Sequence, residues 1–86
     1  MSLSNVASKC DITSMDLRNL FTGDVSVSLA RKFGATTTDL QTFIRGDVNA
    51  NMASALNLNY ADLKALRAEI GREGAIALLI GRMLPR

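Results

Sequence analysis

Three aspartates, Asp16, Asp39 and Asp62, recur at an interval of 23 residues, and each is followed by leucine. Carboxylates brought together can exchange protons or hold a cation. Here a simpler duty accounts for them. Each stands three positions after a residue suited to cap a helix, namely Thr13, Thr36 and Asn59. At that position a carboxylate returns the capping bond and complements the positive end of the helix. The three acids are also separated by whole units of sequence. The rest of the composition is poor in reactive groups, with no histidine and a single cysteine. The usual transition-metal ligands are missing, as are a nucleophile–base pair and a glycine-rich phosphate loop. The chain therefore reads as a non-enzyme with no metal, no cofactor and no evident small-molecule substrate. Arg45-Gly46-Asp47 matches a short adhesion tripeptide, but its glycine and aspartate are assigned to helix punctuation.

The elements that position these residues are legible from the same interval. Residues 16–35, DLRNLFTGDVSVSLARKFGA, align without a gap on residues 39–58, DLQTFIRGDVNANMASALNL. Apolar residues hold their columns: Ala7, Ala30 and Ala53; Val6, Leu29 and Met52; Cys10, Phe33 and Leu56; Leu20, Phe43 and Leu66. Just before each predicted cap lie Asp11, Gly34 and Asn57, residue types that readily take the left-handed conformation ending a helix. Gly23 and Gly46 read as further helix stops, with Asp24 and Asp47 capping the next helices. The expectation is an all-α domain over residues 1–86, a compact bundle of about seven short helices: 3–10, 14–22, 25–33, 37–45, 48–56, 60–70 and 73–84. Its degenerate 23-residue helix-pair repeats span about 1–23, 24–46 and 47–71, and an apolar helix, 73–84, closes the chain. That last helix, apolar around most of its circumference, is expected either at the centre of the bundle or in an oligomer interface.

Composition bounds the function classes. With 86 residues, 48% of them hydrophobic and 21% charged, the chain is large enough for one core and too apolar for disorder. A net charge of +2 permits nucleic acid as a partner without requiring it. MSLSNVASKC lacks a basic head followed by an apolar run, and Ala75–Ile80 falls far short of the roughly 18 residues a spanning helix needs. No membrane role is expected. The lone Cys10, read as a small core residue, fits a reducing cytoplasm. Tyr60 is expected to pack its ring, Met15, Met52 and Met83 to fill gaps, and the phenylalanines to lie in or beside apolar columns, leaving no aromatic set for stacking single-stranded bases.

Residues 26–45, SVSLARKFGATTTDLQTFIR, resemble the helix-turn-helix unit of bacterial and phage DNA-binding proteins. Ala30 matches its small residue, Gly34 its turn glycine, and Leu40 and Phe43 its apolar positions, while Leu29, Phe33 and Ala35 suit its buried ones. The resemblance implies that the 37–45 helix enters the major groove with its N-terminal residues nearest the bases. Thr37 and Thr38 would then donate to phosphates or bases, and Gln41 would pair with adenine. Arg45 would reach phosphate, with Arg31 and Lys32 beside the backbone. One short helix reads few bases, so a dimer is implied.

The interval also supports a different class of partner. Weaker matches to the same unit recur at residues 7–20 and 53–66, as expected of a helical-repeat scaffold for protein–protein interaction. Across units, Arg18, Gln41 and Lys64 share one column and Thr22, Arg45 and Ala68 another, so basic residues form no continuous stripe. The partner is double-stranded DNA, another protein, or a second copy held through the 73–84 helix. A positive face around the 37–45 helix would favour DNA, and an apolar groove beside the last helix would favour protein.

Overall fold

Helix starts and stops follow the sequence punctuation closely. The computed structural model describes residues 2–85. It contains six helical elements among the described residues and no strand: α1 (Leu3–Lys9), α2 (Ser14–Thr22), α3 (Val27–Lys32), α4 (Thr37–Arg45), α5 (Ala50–Ala55) and α6 (Tyr60–Met83). Thr13, Thr36 and Asn59 cap α2, α4 and α6, each side chain accepting the backbone N–H of the aspartate three residues on. Only at Thr36 does that aspartate, Asp39, return the bond and complete a capping box.

Helices α1 to α5 all end the same way. At Asp11, Gly23, Gly34, Gly46 and Asn57 the backbone φ is positive. The N–H of the following residue reaches back five positions, as from Asp24 to the Asn19 carbonyl (3.0 Å) and from Leu58 to the Ala53 carbonyl (2.9 Å). These are Schellman closures, which satisfy carbonyls that a bare helix end would leave unpaired.

Two expectations are corrected. Asp24 and Asp47 do not cap the next helices, because Ser26 and Asn49 do. The reason is burial: Val25 and Val48 turn into the core, which demands two further residues of extended chain before α3 and α5 can begin. Helices expected at 60–70 and 73–84 also run together as α6. The joint is marked by Gly71 (φ 71°, ψ −177°), a non-helical residue within the element. Close by, a Cβ added to Gly74 would stand 2.6 Å from the Cβ of Ile70, so Gly74 is what lets α6 bend there.

Packing places α4 at the centre, in contact with α3, α5 and α6, while α1 pairs with α2. The three columns richest in burial are Ala7, Ala30 and Ala53; Leu17, Leu40 and Leu63; and Cys10, Phe33 and Leu56. A radius of gyration of 12.0 Å equals the roughly 12 Å of a compact chain of this length. The final helical stretch buries only one face, Ala75, Ile76 and Leu79, leaving Ala77 and Gly81 exposed. Leu66 is exposed as well, although its column partners Leu20 and Phe43 are fully buried.

Candidate nucleic-acid interface

Helix α4 divides cleanly into two faces. Asp39, Leu40, Phe43 and Ile44 are buried, and at about 100° per residue they occupy one side of the helix. Thr37, Thr38, Gln41, Thr42 and Arg45 fall on the remaining arc. Thr38 and Arg45 are exposed, and Thr37 and Gln41 half-buried. Thr42, half-buried on the same arc, escaped the sequence reading, although its place three residues before Arg45 follows from the helical period.

Asp39 turns away from that arc. Its Oδ2 accepts the Thr36 backbone N–H (3.1 Å) and its Oδ1 the Asn49 side-chain amide (2.8 Å). The Thr36 bond holds its carboxyl below the usual carboxylate range, against the opposing effect of burial, and the Asn49 amide helps. This matters for an anionic ligand, because an acid exposed on this helix would repel phosphate. Asp47 remains exposed beside Arg45, with its carboxylate bonded to the Val48 N–H (2.9 Å).

The lowered Asp39 acidity carries a sign. A carboxyl with a depressed folded-state pKa stabilises the fold fully above its unfolded value, near 3.9, and that contribution is lost as pH falls through the folded value. Asp39→Asn should therefore lower the melting temperature near neutral pH, and the gap to the wild type should close below about pH 4. Parallel melting curves from pH 7 to pH 2 check this; a gap that stays constant would contradict the assignment.

Arg31 and Lys32, in the last turn of α3, are both exposed. Lys32 is not a free cation at the α3–α4 turn, since its ammonium pairs with Asp11 at 3.6 Å, across the α1–α2 connection. Exposed pairs of this kind are worth about 0–1 kcal/mol, so phosphate can compete for the lysine. The structure thus brings Thr37, Thr38, Gln41 and Arg45 together on one arc, with Arg31 on the preceding helix and Lys32 engaged elsewhere.

One structurally important cation is all but invisible in the sequence. Arg67, in α6, is buried, with Nε donating to the Phe43 carbonyl (2.7 Å) and Nη2 to the Ile44 carbonyl (2.9 Å). Its guanidinium also lies 5.7 Å from the centre of the Phe43 ring. One side chain thereby closes the C-terminal turn of α4, where the helix dipole favours a cation. Arg72 repeats the device, exposed, on the Phe21 carbonyl of α2. The only hint in the sequence is that these bases lie after the third Asp-Leu pair.

Other chemistry-bearing groups have structural duties. Cys10 is buried beside the Ile80 carbonyl, and burial raises its thiol pKa against the opposing pull of Lys32. The thiol therefore stays protonated and unreactive. Tyr60 is more exposed than expected, its ring 5.9 Å from the Lys64 ammonium, and Met15 is exposed rather than a gap-filler. Among the described residues no cluster of His, Cys, Asp or Glu could hold a metal ion, and no helix is long and apolar enough to cross a membrane.

A second surface feature lies away from α4. A groove of about 420 Å³ runs between α1, α2 and the end of α6, lined by Leu3, Val6, Leu17, Phe21, Ile80 and Leu84, with Ser2 and Lys9 as its polar members. Phe21, expected in or beside a buried column, is about half exposed here. No protein-family model, curated protein or solved structure matches the chain.

Proposed function

We propose that this domain is a non-catalytic binding module that reads double-stranded DNA through α3, its turn and α4. It acts in the cytoplasm and is built from three degenerate 23-residue units. The observation that carries the reading is the division of α4. Its apolar residues and its one acid face the core, while Thr37, Thr38, Gln41 and Arg45 share the outer arc. Gly34, with φ 69°, supplies the left-handed turn residue that a helix-turn-helix unit needs at that point.

In this mechanism Arg31 and Arg45 attach to phosphates, and Lys32 exchanges Asp11 for the DNA backbone. Thr37, Thr38 and Gln41 reach base edges, with Gln41 the residue able to specify adenine. Arg67 touches no DNA and holds the far end of the reading helix in place.

Salt titration of binding to mixed-sequence duplex DNA tests the proposal. Each phosphate contact adds about 0.9 to the slope of log affinity against log salt, so Arg45→Ala should weaken binding of every sequence and flatten that slope by about 1. Gln41→Ala should leave the slope unchanged and relax discrimination at one position. No affinity at low salt would remove the reading.

The alternative, a helical-repeat scaffold for another protein, draws support from the helix closures recurring at 23-residue steps and from the apolar groove beside the last helix. In that case salt would have little effect on partner binding, and substitutions on the α4 arc would be silent.

A further inference from the structure

We propose that Arg82 is a further phosphate contact of the DNA-reading surface, seated with Lys32 in the hollow where the ends of α1, α3 and α6 meet. The inference rests on the DNA reading above and extends it to a helix outside the α3–α4 unit. The hollow, of about 200 Å³, is lined by Cys10, Lys32, Phe33, Arg82 and Met83. Cys10 caps the end of α1, Lys32 and Phe33 end α3, and Arg82 and Met83 end α6. Two cations from distant parts of the chain thus line one recess.

The charges at this edge do not cancel. Four basic side chains occupy the last turns of the three converging helices: Lys9, Arg31, Lys32 and Arg82. Helix ends of this polarity draw cations, each carrying roughly half a negative charge. Among the described residues Asp11 is the one acid paired here, with Lys32 at 3.6 Å, and its side chain is 98% exposed. Cys10 adds no charge, because its buried thiol stays protonated. The three helix ends and Asp11 set against the four bases leave a surplus of roughly one to two positive charges. Neither Arg31 nor Arg82 pairs with a carboxylate among the described residues, and both are exposed, so the surplus is open to an external anion.

Position makes the duplex backbone that anion. Lys32 precedes the turn that opens α4, and Arg45 closes α4. A helix in the major groove lies between two phosphate walls about 12 Å apart, and a unit attached to one wall alone would be free to roll. Cations on both sides of the reading helix supply an attachment at each wall, Arg45 at one and the α1–α3–α6 edge at the other. Arg82 brings to the second wall a planar fork that grips phosphate through two N–H donors, which Lys32 as a point charge does not offer.

Salt titrations of duplex binding by the intact chain test the inference. Arg82→Ala should weaken binding of every sequence about five- to tenfold near about 0.1 M salt and flatten the log–log slope by about 1, with Arg82→Lys recovering part of the affinity. Arg82 is exposed, so both variants should keep the wild-type melting temperature. Lys64→Ala removes an exposed cation held over the Tyr60 ring in the first half of α6; it controls for net charge and should change affinity less than about twofold. Asp11→Asn should tighten binding about two- to fivefold by releasing Lys32. Asparagine keeps the backbone there, since Asn57 holds the same φ of 59° in the matching column. A wild type that binds with the Arg45 dependence given above, but loses no more affinity with Arg82→Ala than with Lys64→Ala, would overturn this inference and leave the DNA reading standing. A wild type with no affinity for duplex at low salt would remove both.

Discussion

Arg67→Ala is expected to destabilise the domain by about 3 kcal/mol, lowering the melting temperature by roughly 15 °C in a chain of this size. The side chain gives two charge-assisted hydrogen bonds to the last turn of α4, at 2.7 and 2.9 Å, from a position only 6% exposed. Alanine would leave the Ile44 carbonyl without its partner and open a void against the Phe43 ring. The Phe43 carbonyl loses less, because the Gly46 N–H also reaches it (3.2 Å). Arg67→Lys should recover less than half of the loss, since an ammonium is a point donor and cannot span both carbonyls as the guanidinium fork does. Arg72→Ala is the natural control: the same kind of bond on α2, but solvent-exposed, should cost under about 1 kcal/mol. Chemical denaturation of the three variants decides it. Equal losses for Arg67→Ala and Arg72→Ala would show that burial of the Arg67 fork carries no weight.

Gly71→Ala should cost about 1–3 kcal/mol, and here the cause is the backbone alone. Apart from the adjoining residues and the helix's own backbone, nothing lies within 4 Å of the Cβ this change would add, so there is no packing clash to relieve. The pair φ 71°, ψ −177° belongs to a region that glycine occupies almost exclusively. Gly34, at φ 69°, provides the contrast, because its column partners Asp11 and Asn57 hold φ of 59° without being glycine. Gly34→Asn should therefore fall within about 1 kcal/mol of wild type, whereas Gly71→Asn should be no better than Gly71→Ala. Rescue of position 71 by asparagine would mean that α6 is joined by an ordinary left-handed residue.

Local punctuation was legible because it depends on interactions spanning only a few residues. Thr13 with Asp16 and Thr36 with Asp39 marked α2 and α4, with the observed limits 14–22 and 37–45. Gly23, Gly34, Gly46, Asp11 and Asn57 marked the stops. What sequence alone missed was decided by packing. Asp24 and Asp47 are good capping residues by type, yet burial of Val25 and Val48 hands the caps to Ser26 and Asn49. A column comparison assumes that residues 23 positions apart meet equivalent neighbours, and packing gives some of them different ones. Leu66 and Phe21 are exposed for that reason, each with buried column partners, and Arg67 is buried among groups that no short-range pattern could assign to it. The candidate site followed the same division. The outer arc of α4 came from helical period, while the second bond that holds Asp39 inward comes from Asn49, ten residues away.

The central claim, that α4 and its turn form the surface that meets DNA, is tested most directly by following backbone amide NMR shifts while a duplex of about 20 base pairs is added at low salt. The account predicts that the changes concentrate at Arg31, Lys32, Thr37, Thr38, Gln41 and Arg45 and vanish as salt is raised. Amides that stay unmoved on α4, or shifts confined to the α1–α2–α6 groove, would contradict it.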